Sequence, residues 1–401
     1  MPDDAVTHVL GIDSGGSGVR VAVARADAPG CSAEQPPAWS SSPTWSPPLT
    51  WSSATPATVG DRGIDAESLL ARVLPAAREL LREAGARRFG AVCVGAAGMA
   101  TLGDDLRARL PDALADAFGV RRLALAADAV TAYAGALGQR PGAVVAAGTG
   151  LIALGAVPEG FVGGLGGTYG ESSTGGASGT GGASGTGGAS GTDATATGAM
   201  TTDTTATGIT ATGGDTRWAT GGWRRADGWG HLLGDCGGGA WIGRAGLEAA
   251  MRAYDGRTGG SKPLLARLEA VFGPATGLPG QLYPRPDRPA VLASFAPEVG
   301  RCAGKDPVAE AILRAAARHI AEAAEAVCPR LESSEVALTG GLFRMGAPLL
   351  TPVREELAAR LPGVRVTEAA GDPLDGALCV AAALAADGLR LPRDPALLSI
   401  V

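Results

Sequence analysis

The sequence predicts an α/β fold built twice over, and three observations carry that expectation. Apolar strand-like runs alternate with helix-like stretches along the 401 residues, the order that gives layered α/β architectures. Two of those runs end in a tight Gly-rich turn and resume as a second apolar run: residues 6–24, VTHVLGIDSGGSGVRVAVA, and residues 142–157, GAVVAAGTGLIALGAV. A supersecondary unit that returns later in a chain points to duplication. The length fits two domains, divided here into a lobe of residues 1–137 and a lobe of residues 138–401, with the last helix packing back on the first lobe.

The first unit is the most informative. A short strand (Val9, Leu10, Gly11, Ile12) meets the turn Asp13-Ser14-Gly15-Gly16-Ser17-Gly18. A second strand follows, in which Val19, Val21 and Val23 alternate with Arg20 and Ala22. Glycines let the backbone approach a ligand closely, and successive N–H groups with the Ser14 and Ser17 hydroxyls can cradle a phosphate. The loop runs into a strand and contains no Gly-Lys-Ser/Thr, so it is neither a dinucleotide fingerprint nor a Walker A loop. Asp13 at its entry is placed to hold magnesium, which takes carboxylate and phosphate oxygens together. An ordinary Gly-rich hairpin would give the same pattern.

Composition narrows the function classes. The net charge of −6 gives no basic footprint for nucleic acid, and no stretch of about 18 uncharged apolar residues offers a membrane span. The N-terminus, MPDDAVTHVL, lacks the pattern of a secretory signal. The six cysteines (Cys31, Cys93, Cys236, Cys302, Cys328, Cys379) form no C-x-x-C pair, which fits reduced thiols in a cytoplasmic protein. The absence of Asn and the presence of only two Lys, beside many Arg and Ala, read as a coding bias.

In chain order, residues 29–60 are rich in Pro, Ser and Trp and read as an extended or edge segment. Its Trp39, Trp45 and Trp51 either stack on a sugar or anchor the loop. Residues 64–84 read as a helix capped by Asp65, with a kink at Pro75. The strand FGAVCVGAAGM ends in a turn at Gly95 and Gly98, and a helix over about 104–118 follows. The strand LALAA leads to Asp128 and a helix over 129–137. An Asp between strand end and helix start sits where open α/β sheets place ligands, and it is equally the place of a plain N-cap. Gly148-Thr149-Gly150 is the turn of the second unit.

Residues 163–222 hold GGASGT three times in tandem, at 175–180, 181–186 and 187–192. Such a composition buries too little apolar surface to offset chain entropy, so a disordered insertion is expected. Next, DGWGHLLGD gathers Gly228, Trp229, His231 and Asp235 in one compact turn before a helix from about Gly239 to Tyr254. Asp235 either accepts hydrogen bonds from ligand hydroxyls or caps that helix. Residues 305–328 read as a long helix, EVALTGGLF as a strand, a Gly340-Gly341 turn suited to a flat ring, and a helix, and DPLDGALCVAAALAA as a last helix over roughly 373–387.

This ordered set resembles the N-acetylglucosamine kinases and BadF/BadG/BcrA/BcrD-type ATPases, within the actin/hexokinase-type sugar kinases. GIDSGGSGVR resembles their first phosphate motif, AGTG the second, ALTGGLF the adenosine motif and DGWGHLLGD the sugar-binding turn. The resemblance implies a two-lobed actin/hexokinase-like (ribonuclease H-like) fold with two ATPase lobes. It implies ATP and Mg2+ as cofactors, an amino sugar as small-molecule partner and a homodimer as the candidate assembly. It makes Asp128 the catalytic residue and Asp13 the metal ligand. Ser14, Gly15, Gly16, Ser17, Gly148, Thr149 and Gly150 would hold ATP phosphates, and Gly340 and Gly341 would face adenosine. Gly98, Asp128, Gly228, Trp229 and Asp235 would surround the sugar.

The family's sugar-contacting Asn is missing here, Cys236 and Gly238 replace an acidic or amide residue and a Ser, and Leu151 replaces a Ser after AGTG. The favoured reaction is phosphorylation of the 6-hydroxyl of N-acetylglucosamine. Glucosamine kinase, a BadF/BadG-type ATPase activator and a non-catalytic sugar sensor stand as alternatives. Deletion of residues 171–213 is expected to leave the sugar phosphorylation rate within a few-fold, measured by coupled ADP release, because a polar repeat packs against little.

Overall fold

The computed structural model describes residues 7–16, 18–26, 47–60, 63–160, 218 and 221–401. The repeats, Ser17, Trp39, Trp45 and Cys31 therefore lie outside the described residues. The chain forms β1 (His8–Gly15), β2 (Gly18–Arg25), β3 (Leu49–Ser53), β4 (Val59–Gly60), β5 (Gly63–Ile64), α1 (Ala66–Glu83), β6 (Phe89–Ala96), α2 (Met99–Leu102), α3 (Asp104–Phe118), β7 (Leu123–Ala127) and α4 (Asp128–Leu137). It continues with β8 (Gly142–Ala147), β9 (Leu151–Val157), β10 (Gly222–Asp227), α5 (Gly239–Tyr254), α6 (Lys262–Phe272), α7 (Leu278–Leu282), α8 (Arg288–Ser294), α9 (Ala296–Cys302) and α10 (Pro307–Val327). β11 (Glu335–Thr339), α11 (Ala347–Arg360), β12 (Arg365–Glu368), α12 (Pro373–Ala385) and β13 (Leu398–Ile400) complete it.

Two mixed sheets organise these elements, in the strand orders β13-β7-β6-β1-β2-β3 and β10-β9-β8-β11-β12. Each contains one of the two Gly-turn hairpins, β1–β2 and β8–β9, beside a parallel strand, β6 or β11. This is the mixed α/β, actin/hexokinase-like fold that the sequence predicts. The helices α4 and α12 lie against one another between the sheets, with α12 also on β1 and β6 and α4 also on β8, β9 and β11. α1 covers β2 on the far side of the first sheet, and α10 covers β9 in the second.

The chemistry of the segments explains these layers. The strands β6 and β7 are buried throughout, apart from Gly90, as expected of parallel strands covered on both faces. Asp65 caps α1 by accepting from the Ser68 N–H at 2.6 Å, and α1 runs unbroken through Pro75. Leu69, Leu70, Val73, Ala77 and Leu80 form its buried stripe. α12 begins with a capping box: the Asp372 carboxylate accepts from Leu374 N and Asp375 N, and the Asp375 carboxylate accepts from Asp372 N.

Two expectations change in detail. The Pro/Trp-rich segment ends in a real edge strand, β3, which pairs antiparallel with β2 and contains Trp51 opposite Val21. After Gly340-Gly341 the chain forms a short 3-10 helix over Gly341–Met345, and the regular helix α11 starts only at Ala347. The residues after 372 belong with the first sheet: α12 packs on it, and β13 pairs with β7 at its edge. Among the described residues, no helix is long and apolar enough to cross a membrane.

The α4–α12 crossing is backbone to backbone. A β-carbon at Gly376 would collide with the Thr131 carbonyl, and one at Gly135 with the Asp372 carbonyl. Alanine in a helix normally gains about 0.5–1 kcal/mol over glycine. Here the sign should invert: Gly376→Ala is expected to destabilise by about 1–3 kcal/mol through overpacking, measured as the shift of the urea midpoint.

Candidate functional site

Asp13, Gly98 and Asp128 stand at the carboxyl ends of three adjacent parallel strands. The register aligns Asp13 with Gly95 and Ser14 with Ala96, and then Gly95 with Ala126 and Ala96 with Ala127. The turn after β6 therefore passes between the β1–β2 hairpin and the start of α4. This carboxyl edge is the part of an open α/β sheet that meets ligands.

Asp128 is the first helical residue of α4. The N-cap is Ala127, which has no capping side chain, and among the described residues the Asp128 carboxylate accepts a hydrogen bond from the neighbouring Ala129 N–H, at 2.9 Å, and from no other residue's N–H. Plain N-capping, where the side chain accepts from the second or third helical N–H, is thus absent. The side chain is open to water, yet protein crowds around the carboxylate on its other sides. Crowding raises its pKa above the ordinary value; the Ala129 N–H opposes the rise and the negative charge of Asp13 adds to it.

Asp13 lies within β1, opposite Arg20 of β2. Its Oδ2 accepts from Arg20 Nε at 2.9 Å and from Nη2 at 2.6 Å, and Arg20 Nη1 donates to Asp372 Oδ2 at 2.5 Å. Burial pushes the Asp13 carboxyl up, Arg20 pulls it down, and Asp372 adds to the rise. Only Oδ2 is engaged by Arg20, so the second carboxylate oxygen is uncommitted to that ion pair. Among the described residues no group of three or more His, Cys, Asp or Glu side chains could hold a metal by itself. One carboxylate handle completed by phosphate oxygens suits magnesium, so the residues present fit that ion.

The hairpin corrects one expectation. The β1–β2 ladder continues to the Gly15–Gly18 pair, so Ser14 and Gly15 belong to the strand rather than to the turn. Ser14 is a buried strand residue whose Oγ has no hydrogen-bond partner among the described residues, and strand alternation sends it to the face opposite Asp13. The Ser14 hydroxyl and the Asp13 carboxylate therefore leave opposite faces of β1. Gly15 and Gly16 have open space beside them.

The second cluster joins the DGWGHLLGD turn to the β8–β9 hairpin. Gly228 N donates to Leu151 O at 2.9 Å, Gly239 N to Gly148 O at 2.9 Å and Ala240 N to Thr149 O at 2.8 Å. Gly150 leaves no room for a β-carbon because the Asp235 carboxylate occupies that place. The Gly230 N–H donates to Asp235 Oδ1 at 3.1 Å. Burial raises the Asp235 carboxyl, the Gly230 N–H opposes that, and the charge of Asp227 adds to it. Gly340 packs against the Ala147 carbonyl, so the predicted adenosine turn adjoins the second hairpin, while Gly341 borders open space. Trp229 is 60% exposed, with the Arg225 guanidinium 4.0 Å from its ring.

Thus the structure brings Asp13, Gly98 and Asp128 to one sheet edge, and Gly148–Gly150, Gly228, Asp235 and Gly340 to another. No hydrogen bond or ion pair among the described residues joins Asp128 to Asp235 directly. Three contributors were not singled out from sequence. Arg20 ends the GIDSGGSGVR motif and alternates in its strand without a role of its own, although its position directly across a short hairpin from Asp13 is countable. Asp372 carried a legible cap signal, D-P-x-D. Asp227 gave none: its carboxylate accepts from Asp235 N and, at 3.0 Å, from Cys236 N, closing the turn from outside. Asp227 and Asp235 both have left-handed backbones, φ 62° and 55°.

Comparison with known proteins supports the resemblance read from the motifs. Residues 190–385, just under half of the chain, match the model of the BadF/BadG/BcrA/BcrD ATPase family. No curated protein matches the chain. A candidate N-acetylglucosamine kinase from Chromobacterium violaceum superposes with TM-score 0.57 at 24% identity, covering 93% of this chain and 98% of that one. A second candidate N-acetylglucosamine kinase, from Porphyromonas gingivalis, gives 0.54 at 15% identity, with 93% and 97% covered. A ROK family transcriptional regulator, homologous to the E. coli MLC protein, gives 0.50 at 13% identity, with 96% and 79% covered. These likenesses establish the fold.

The Asp227 clamp makes a local prediction. Hydrogen bonds to a charged group contribute about 1.5–3 kcal/mol, so Asp227→Ala should speed amide exchange at Asp235 and Cys236 by about tenfold or more. Hydrogen-exchange mass spectrometry or NMR would read this, with the β6 amides as the unaffected control.

Proposed function

We propose that the chain is an ATP-dependent sugar kinase that phosphorylates the 6-hydroxyl of an amino sugar, with N-acetylglucosamine the favoured acceptor. The observation that carries this reading is Asp128, a water-open, crowded carboxylate that caps nothing beyond its neighbour, at the sheet edge shared with the β1–β2 hairpin. A carboxylate with a raised pKa at such an edge suits a general base.

In this mechanism Asp128 accepts the proton of the sugar hydroxyl as that oxygen attacks the γ-phosphorus of ATP, the bond from the γ-phosphorus to the β,γ-bridging oxygen breaks, and ADP leaves. The backbone at Gly15 and Gly16 and the N–H groups of Thr149 and Gly150 face the phosphates in this reading, while the Gly148 N–H closes its own turn on the Gly150 carbonyl at 3.0 Å. Asp13 would hold magnesium through the oxygen outside the Arg20 pair, and the ion would neutralise charge on the phosphates. Asp235 and Gly228 orient the acceptor, and Trp229 offers it an apolar face. Approach of the two sheet edges would bring Asp128 toward the acceptor and exclude water. Both lobes act as ATPase lobes in this reading, with the dividing point at 137/138 and the final helix returned to the first. We propose a cytoplasmic setting from the reduced-thiol pattern.

Two other readings rest on particular observations. The likeness to a ROK transcriptional regulator keeps a non-catalytic sugar sensor in view, and the family match keeps an ATPase activator in view. The activator reading needs cysteines converging on a cluster at a surface. Cys93, Cys302 and Cys328 are instead buried on separate elements. Iron-type absorbance in the purified protein would favour that reading over the kinase.

The decisive variant is Asp128→Asn. Removing a general base lowers kcat by about 10²–10⁴-fold, with sugar and ATP affinity nearly kept. Because its folded-state pKa is raised, ionised Asp128 costs stability at neutral pH, so the neutral amide should melt no lower than the parent. For the same reason kcat/KM should fall on acidification through a pKa above the ordinary value of about 4. Near-normal turnover of folded Asp128→Asn would overturn the base assignment. A coupled ADP-release screen over N-acetylglucosamine, glucosamine, N-acetylmannosamine and glucose identifies the acceptor. A higher kcat/KM on glucosamine would move the assignment to that sugar.

A further inference from the structure

We infer that Arg20 is a positioning residue of this site: it fixes the Asp13 carboxylate by one oxygen and ties the first hairpin to the start of α12. The inference rests on the kinase reading of the same cleft, and it concerns a residue to which the motifs give no role.

The geometry is specific. Antiparallel pairing sets Asp13 and Arg20 directly opposite each other, so both side chains leave the same face of the sheet. Two guanidinium nitrogens converge on Asp13 Oδ2, at 2.9 and 2.6 Å, and the third reaches Asp372 Oδ2 at 2.5 Å. The Asp372 carboxylate is itself immobilised, since its Oδ1 caps α12 through Leu374 N at 2.8 Å and Asp375 N at 3.2 Å. The Asp375 carboxylate completes the box on Asp372 N at 2.9 Å. Arg20 is thus held by two carboxylates, one of them locked to a helix end.

The charge balance points the same way. A groove of about 300 Å³ between β2, β3 and α12 is lined by Arg20, Trp51, Asp372, Asp375 and Leu378 among others, and among the described residues Arg20 is the one cation that lines it. The Asp13 side chain is 15% exposed and that of Arg20 34%. A carboxylate that offers a single free oxygen to an ion depends on whatever fixes the other oxygen, and outer partners of this kind change metal affinity by about 10–100-fold. A planar guanidinium can serve two carboxylates at once; a lysine ammonium is a point charge on a flexible stem. Arg20 touches no reacting atom in this arrangement and acts through Asp13.

The test is calorimetry of ADP binding to the full chain, with and without magnesium, and of N-acetylglucosamine binding alone. Arg20→Gln should weaken magnesium–ADP binding by about 10–100-fold, while metal-free ADP and sugar affinities stay within a few-fold. Arg20→Lys should restore part of the loss. Asp372→Asn keeps the helix cap, because Asn caps about as well as Asp, and should weaken magnesium–ADP in the same direction by a smaller factor; if Arg20→Gln does not fold, this variant decides. Unchanged magnesium–ADP affinity overturns the inference. So does an equal loss with and without the metal, which would make Arg20 a direct phosphate ligand. A parent chain that binds no magnesium–ADP overturns the kinase reading itself; a parent that binds normally beside an indifferent Arg20→Gln removes only the role of Arg20.

Discussion

Everything at the candidate site depends on how closely α4 and α12 cross between the two sheets. Gly135 and Gly376 face backbone carbonyls of the partner helix with no space for a side chain, so the helices meet at main-chain distance. Thr131 sits at this crossing: its backbone carbonyl lies against Gly376, its side chain fills the space beside Gly95 of β6, and its hydroxyl donates to the Asp128 carbonyl at 3.0 Å. The first turn of α4, and with it Asp128, is therefore positioned by packing against both α12 and β6. The alanines that dominate the neighbouring faces serve the same purpose, since thin side chains let two sheets close on one helical layer.

That layer places several carboxylates in one neighbourhood. Asp13, Asp128 and Asp372 come from three different elements, and Arg20 is the guanidinium that bonds two of them. Burial raises the carboxyls of both Asp13 and Asp128; the charge of Asp372 adds to the rise at Asp13 and that of Asp13 to the rise at Asp128, while Arg20 offsets part of it for Asp13 only. Asp128 is left with one backbone N–H and water. Unequal treatment of two nearby carboxylates is the usual way a site separates a proton acceptor from a charge holder. It also means that the site is built at some expense of stability, as functional sites commonly are.

Much of this was legible in the sequence because it rests on local pattern. Two apolar–Gly–apolar hairpins, the buried strands ending at Gly95 and Ala127, and the Asp-capped helices follow from periodicity and turn chemistry, and the structure places them within a few residues of the expected bounds. The misses have a common cause. Whether Ser14 belongs to a turn or a strand depends on how far the ladder extends, which only pairing decides. Arg20 and Asp372 meet across 352 positions of sequence, so no local window joins them. Asp227 opens DGWGHLLGD, but nothing local assigns its side chain a partner. Its importance comes from a left-handed backbone that turns its carboxylate onto the amides of Asp235 and Cys236.

The same geometry bears on how acceptor and nucleotide would communicate. The DGWGHLLGD turn does not merely neighbour the second hairpin. Asp235 occupies the space beside Gly150, and the first N–H groups of α5 donate to Gly148 and Thr149 carbonyls. A sugar held by Asp235 and phosphates held by Gly148–Gly150 would thus rest on one backbone unit, with neither able to move without the other. Asp128, the base in the proposed mechanism, starts a helix of the α4–α12 layer, which packs on both sheets. In such an arrangement the second hairpin is already braced by the acceptor turn, and the glycines at the crossing set how closely the two sheets approach. Specificity for the acceptor and positioning of the phosphates are then properties of one rigid piece, while proton removal depends on the approach of another.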